Sequence, residues 1–82
     1  MSNRLAYLNL TNTRKNALNA ARQFAAVSPA MHLLVTEGRI ASPTHKLCLR
    51  IAIAQLQAKV KRGRSYNIQH AMLRTIAQYV GA

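Results

Sequence analysis

Acidic residues are almost absent from this sequence. Glu37 is the only one among 82 residues, against twelve lysines and arginines, and the formal net charge is +11 at pH 7. Catalysis by a pair of carboxylates is therefore excluded, because that form of general acid–base chemistry needs two acids. So many unbalanced cations repel one another and destabilise a compact chain. We therefore expect an anionic partner that stabilises the fold.

Disulfides, membrane spans and secretory signals are also missing. Cys48 is the only cysteine, so no disulfide can form within the chain, and a reducing compartment is favoured. No apolar run approaches the roughly 18 residues of a membrane span, and the N-terminal residues lack the apolar stretch of a secretory signal. We expect a cytoplasmic protein. A transit peptide stays open as an alternative, because the N-terminal segment is acid-free and contains Arg14 and Lys15.

The sequence has few side chains that bind metals or act as nucleophiles. His45 and Cys48 share one face of a predicted helix and His32 is a third candidate ligand, but the paired ligand spacing of zinc sites is missing. A Cys–His nucleophile pair would also lack an orienting acid. We therefore predict no metal, no cofactor and no enzymatic activity, and we expect Cys48 to be a small core residue.

The hydrophobic content is high enough for a folded domain. Hydrophobic residues make up 50% of the chain, which predicts a core rather than a disordered basic tail. A chain of this length buries only about 60% of the surface that it exposes when unfolded. We expect a single helical domain over residues 1–82 that gains further apolar burial as a homodimer.

Prolines and glycines mark the helix boundaries. Two Ser-Pro pairs, at 28–29 and 42–43, each offer an N-cap hydroxyl followed by proline in the first helical position. Gly38 and Gly63 stand where helices are expected to end in the left-handed conformation. The sequence thus predicts an all-α fold, a compact bundle of about four helices at approximately 12–27, 29–37, 43–62 and 66–80. Residues 1–11 form either an extra helical turn or a flexible arm.

Each helix carries apolar residues at helical spacing, and these predict its core face. The expected core residues are Ala17, Leu18, Ala21, Phe24 and Ala25 in the first helix, Met31, Leu34 and Val35 in the second, and Ile68, Met72, Ile76 and Tyr79 in the fourth. The third helix has two such stripes, namely Leu49, Ile53, Leu56 and Val60, and Leu47, Ile51, Ala54 and Ala58. One of the two faces the core, and the other needs a further helix or a second subunit.

Positive charge is concentrated around the end of the third helix. The run at 59–65, KVKRGRS, holds four cations and follows a basic strip on the same helix. Cations also complement the dipole at a helix C-terminus, but that accounts for one or two of the four. The backbone N–H groups that open the next helix suit a phosphate. Tyr66, which follows the run, either stacks on a base or anchors the last helix against the core.

Together these patterns predict a nucleic-acid-binding surface. The predicted binding residues are Lys46, Arg50, Lys59, Lys61, Arg62, Arg64, Tyr66, Arg74, Arg14, Lys15 and Arg22. Phosphate contacts position a protein without reading sequence, and no convincing set of base-reading side chains stands out. DNA and RNA both stay open as the partner.

A helix-turn-helix is one way to use the second and third helices, because their lengths suit two helices that meet at an angle. The front of the third helix would then enter the major groove, with Thr44, His45, Lys46 and Arg50. The detailed fit is poor, because Leu34 falls where a small residue is needed and Glu37 where an apolar one belongs.

Two other functions remain open beside nucleic-acid binding. The chain suits a small interaction or inhibitor protein, of the phage or plasmid type, that docks onto an acidic surface of another protein. A basic amphipathic helix also suits a membrane surface. The two separated apolar stripes of the third helix argue against the membrane, because they favour burial between protein elements.

Overall fold

The computed structural model describes residues 13–60, 63 and 66–81, and these residues are helical with short connections. The helices are α1 (13–22), α2 (Pro29–Glu37), α3 (Pro43–Lys59) and α4 (Tyr66–Val80). No strand occurs in this part of the chain, which confirms the all-α prediction. None of the described helices is both long and apolar enough to cross a membrane. The predicted arm at 1–11 lies outside the described residues.

The starts of α2 and α3 follow from their serine caps. The backbone of Ser28 is extended, and its hydroxyl accepts a hydrogen bond from the Met31 N–H at 3.4 Å. Ser42 is also extended, and its hydroxyl accepts from the His45 N–H at 3.0 Å. Each hydroxyl thereby satisfies a backbone donor that the first turn leaves free. Both predicted starts are confirmed.

The end of α2 uses the backbone freedom of glycine. Gly38 has φ 71° and ψ 12°, in the left-handed region, and its N–H donates to the Leu34 carbonyl at 2.9 Å. A side chain at this position would strain the backbone. The predicted glycine cap is therefore confirmed for α2.

Two predicted helix ends were placed too late. The helical part of α1 ends at residue 22 rather than 27, and the N–H groups of Gln23, Phe24 and Val27 bond to carbonyls three residues back. These tighter turns end the α-helix before Ser28, the extended cap residue of α2. Helix α3 ends at Lys59 rather than 62, because Val60 adopts an extended conformation while its side chain packs against the core. Gly63 therefore does not cap α3.

The core lies where α3 packs between α2 and α4, with alanines from α1 and one aromatic ring from the turns that follow it. Its buried residues are Ala17, Ala20, Ala21 and Phe24 of the first segment, Met31 and Leu34 of α2, Leu49 and Ile53 of α3, and Leu73, Ile76 and Val80 of α4. Small side chains on α1 let this helix approach its neighbours closely. The predicted core stripes of α1 and α2 and the first stripe of α3 are confirmed in their main residues.

Two predicted core residues are exposed instead. Ile68 is 63% exposed, because the packed face of α4 is rotated by about one position and buries Leu73 and Val80. Cys48 is exposed on α3, one position away from the buried Leu49. The face of α3 that packs between α2 and α4 is narrower than the sequence suggested.

Candidate nucleic-acid interface

The cations that the structure describes are all on the surface. Four of the twelve lie outside the described residues, namely Arg4, Lys61, Arg62 and Arg64. The other eight are exposed, namely Arg14, Lys15, Arg22, Arg39, Lys46, Arg50, Lys59 and Arg74. None of these eight forms an ion pair within the described part of the chain. Their positive charge is therefore available to a partner.

Two of the predicted binding residues flank the contact between α3 and α4. Arg50 lines a shallow groove together with Gln57 of α3 and Ala77 of α4. The ammonium nitrogen of Lys46 lies 3.8 Å from the point that a Cβ atom on Gly81 would occupy. The first turn of α3 therefore lies beside the last residues of α4, where free carbonyl groups favour a cation.

Arg74 occupies the exposed ridge of α4. It lies three residues before Ala77, which faces the α3 side, and three after Ala71, which lines a second groove against α1. At 100° per residue, its side chain projects between these two grooves. Lys46, Arg50 and Arg74 thus follow one side of the α3–α4 pair, and we call these three residues the basic row.

The outer face of α1 extends this surface across the second groove. Lys15 and Arg22 are exposed on it, and the amides of Asn16, Asn19 and Gln23 line the groove that α1 forms with α4. Asn and Gln amides hydrogen-bond to base edges as well as to phosphates. The sequence did not single out these three amides, although their spacing on one helical face was a usable signal.

Arg14 has a structural partner. Its Nε donates a hydrogen bond of 2.8 Å to the Gly38 carbonyl, 24 residues away in the chain. The guanidinium therefore satisfies a carbonyl at the end of α2 and joins α1 to that helix. Its role in nucleic-acid binding stays a prediction, in which the guanidinium nitrogens that this bond leaves unused would contact phosphate.

The remaining predicted binding residues lie away from the basic row or outside the described residues. Lys59 borders a groove on the α2 side of α3. Tyr66 is half-buried and packs against His70 of the same helix, with ring centroids 5.2 Å apart and planes tilted by 40°. Because this contact lies within α4, base stacking and anchoring against the core both stay predictions for the tyrosine. Lys61, Arg62 and Arg64 lie outside the described residues.

His45 is buried and is used to build the fold. Its Nδ1 accepts a hydrogen bond from the Ala41 N–H, and its Nε2 lies 2.9 Å from the Ala30 carbonyl. The helix-turn-helix interpretation required the imidazole to project from the front of α3. The ring instead points into the fold, so that interpretation loses one of its groove-facing residues. Within the described residues, no group of three or more His, Cys, Asp or Glu side chains is placed to hold a metal ion.

An apolar groove of about 550 Å³ lies between α3 and the corner that joins α1 to α2. Its walls include Val27 and Leu33 on one side and Cys48 and Ile51 on the other, and Lys59 stands at one end. Val27 is 72% exposed and Ile51 is 50% exposed. Large exposed apolar patches mark interaction sites, so this groove is a second candidate surface beside the basic one.

Comparison of the chain with protein-family models, curated proteins and solved structures found no match. The function is therefore inferred from the charge and geometry of the described residues.

Proposed function

We propose that this protein binds nucleic acid, mainly through the phosphate backbone, and that it acts as a homodimer in the cytoplasm. The observation that carries the proposal is the exposure of all eight described cations, none of which forms an ion pair with another residue that the structure describes. A polyanion is the partner that relieves their mutual repulsion most completely. The lone exposed thiol of Cys48 suits the reducing conditions of the cytoplasm.

The basic row is the centre of the proposed interface. Lys46 and Arg50 are one turn apart, about 6 Å along α3, and Arg74 projects from the neighbouring helix. The two arginines present forked donors that fit phosphate oxygens, whereas Lys46 acts as a point charge. Lys15 and Arg22 extend the surface over α1. Such contacts fix the position of a duplex without reading its sequence.

The salt dependence of binding tests the basic row. Each phosphate neutralised on B-DNA contributes about −0.9 to the slope of log affinity against log salt concentration. We expect the slope of the Arg50→Gln variant to be about 0.9 units less steep than that of the unchanged protein. Arg39→Gln is the matched control, because it removes the same charge from the connection between α2 and α3. Titrations of a fluorescent DNA duplex and an RNA duplex over a salt series measure both slopes.

Two outcomes contradict the proposal. If neither duplex binds at low salt, the protein does not act through nucleic acid. If Arg50→Gln and Arg39→Gln change the slope equally, the contribution of the cations is a general effect of net charge, and the basic row is not the interface.

A second candidate function is docking onto another protein, as an adaptor or inhibitor. The apolar groove favours it, because Ile51 and Val27 offer apolar contacts and Lys59 offers a cation at the rim. A partner with an apolar segment and acidic flanks would match this surface. Failure of duplex binding, together with a defined complex lost on Lys59→Glu substitution, would favour this second function.

A further inference from the structure

The solvent-facing side of α3 carries an apolar stripe that the folded chain leaves uncovered. We call it the outer seam, and it consists of Leu47, Ile51, Ala54 and Ala58. All four are exposed, with Leu47 at 55% and Ile51 at 50%. Their spacing of four, three and four residues is that of the a and d positions of a paired helix. Residues with this spacing lie on one side of the helix, so all four can contact a single partner helix.

We propose that the outer seam pairs with the outer seam of a second copy of this chain, with the two α3 helices antiparallel. The pairing defines the interface of the proposed homodimer. The effect of the pairing on nucleic-acid binding, described below, rests on the proposed function. In this register, Leu47 of each copy faces Ala58 of the other, and Ile51 faces Ala54. Each large side chain therefore meets a small one, so the helices pack closely without gaps. A parallel pair would instead place leucine on leucine at one end and alanine on alanine at the other.

The charges beside the seam are all positive, so they repel each other in either arrangement, and the direction of the pair rests on the matching of large and small side chains. Arg50 flanks the seam, and no acidic residue occurs on α3. Antiparallel pairing places Arg50 beside Gln57 of the other copy, so the two arginines are offset by about 8 Å along the helix axis. A parallel pair would place the two arginines at the same height but on opposite faces of the helix pair. The opposite edge carries Cys48, Gln55 and Lys59, and the two Lys59 residues of an antiparallel pair are about 20 Å apart along the helix axis.

The seam alone is shorter than a standard dimer interface requires. A standard interface buries roughly 800 Å² per partner, and the seam alone is only about 18 Å long. Ile51 also lines the apolar groove, whose far wall holds Val27 and Leu33. The apolar surface is thus continuous beyond the seam, and we expect a second copy to cover part of this groove as well.

The pairing gathers the basic rows of both copies on one face. Lys46 and Arg50 lie on the same edge of the seam, and two-fold symmetry places the equivalent residues of the second copy on the same side of the helix pair. The two Lys46 residues would then be about 20 Å apart along the helix axis. A nucleic acid that contacts this face binds both copies at once, so its binding and dimerisation strengthen each other.

Sedimentation equilibrium over a range of protein and salt concentrations tests the pairing. We expect the dimer fraction to rise with protein concentration and also with salt, because salt screens the repulsion between two cationic chains. Ile51→Gln should raise the dissociation constant at least tenfold. Ile68→Gln is the matched control, because Ile68 is 63% exposed on α4 and does not belong to the seam. Circular dichroism of both variants verifies that the helices remain folded.

The direction of the two helices is tested with a nitroxide label on Cys48, the only cysteine and an exposed one. In the antiparallel pair, the two labelled positions are offset by about 14 Å along the helix axis. In a parallel pair they would be at the same height, with no axial offset, so the distance between the labels would be shorter. Pulsed electron paramagnetic resonance of the labelled dimer distinguishes these arrangements.

A protein that stays monomeric at all salt concentrations overturns the proposal, and leaves the seam to a different protein. A dimer that Ile51→Gln and Ile68→Gln weaken equally, or in which the distance between the Cys48 labels matches the parallel pair, also overturns it. These results are independent of the duplex titrations, because salt is expected to strengthen the dimer and to weaken nucleic-acid binding. A dimer that binds neither duplex would refute the proposed function and keep the pairing.

Discussion

His45 joins the start of α3 to two separate backbone groups through its ring. The Ala41 N–H donates to Nδ1 at 2.9 Å, so Nδ1 acts as an acceptor and the ring proton lies on Nε2. Nε2 can then donate to the Ala30 carbonyl at 2.9 Å. The ring thus fixes the connection between α2 and α3 on one side and the first turn of α2 on the other.

We predict that His45→Ala lowers the free energy of unfolding by about 2–3 kcal/mol, because it leaves two partly buried backbone groups without their hydrogen bonds. Urea denaturation followed by circular dichroism measures the change. His32→Ala is the control, because His32 is exposed on α2 and surface substitutions of this kind stay within about 0.5 kcal/mol. Equal stability of the two variants would mean that His45 does not hold the connection.

The burial of His45 was not predictable from the sequence, because it depends on a residue that is distant in the chain. Ser42 lies only three residues before His45, so its role as the cap of α3 was predictable from the Ser-Pro pair. The Ala30 carbonyl is 15 residues away, and only the docking of α2 against α3 brings it to the ring. For the same reason, no pattern in the sequence pointed to the bond between Arg14 and Gly38.

At the scale of elements, adjacent cations on α1 have different roles. Arg14 bonds to the end of α2, whereas Lys15 is exposed on the outer face. We predict that Arg14→Ala lowers the free energy of unfolding by about 1 kcal/mol, the typical contribution of one hydrogen bond. Lys15→Ala should leave stability unchanged and make the salt slope of duplex binding less steep by about 0.9.

This pair of variants removes the same charge at neighbouring positions, so each serves as the control for the other. Urea denaturation and duplex titration of both proteins give the two readouts. A loss of stability in Lys15→Ala, or an unchanged slope in that variant, would contradict the division of roles.

The predictability of each helix depends on how local its determinants are. The starts of α2 and α3 follow from serine hydroxyls within three residues, so the sequence predicted them correctly. The core face of α4 is different, because the predicted stripe of Ile68, Met72 and Ile76 is spaced as regularly as the buried set of Leu73, Ile76 and Val80. Only Ile76 belongs to both. The face of α4 that packs is selected only by the positions of α1 and α3, and those positions cannot be read from the residues of α4 itself.

The same distinction applies to the candidate interface. Exposure of the cations was predictable from their chemistry, because lysine and arginine are rarely buried without a partner. Their grouping was not, because Lys46 and Arg50 meet the ridge of Arg74 only after α3 and α4 have docked. The sequence also showed that α3 has two apolar stripes, and the fold shows that Leu47 and Ile51 belong to the exposed one.

At the scale of the whole molecule, a net charge of +11 on 82 residues sets the response to salt. The eight described cations are exposed and form no ion pairs within residues 13–60, 63 and 66–81, so they repel one another across the surface. Salt screens this repulsion in the folded chain and also competes with a bound polyanion. Stability and nucleic-acid binding should therefore respond to salt in opposite directions.

We predict that the melting temperature rises with salt, and that most of the rise occurs by about 0.15 M, where the screening length has fallen to roughly 8 Å. A gain of about 1 kcal/mol corresponds to a rise of roughly 4–8 °C for a domain of this size. Thermal melts at constant pH, with sodium chloride and choline chloride at equal ionic strength, measure it. The two salts should act alike, because screening depends on ionic strength and not on the identity of the cation. A melting temperature that does not change over this range would mean that the surface charges do not repel one another strongly, and the need for a polyanionic partner would lose its physical basis.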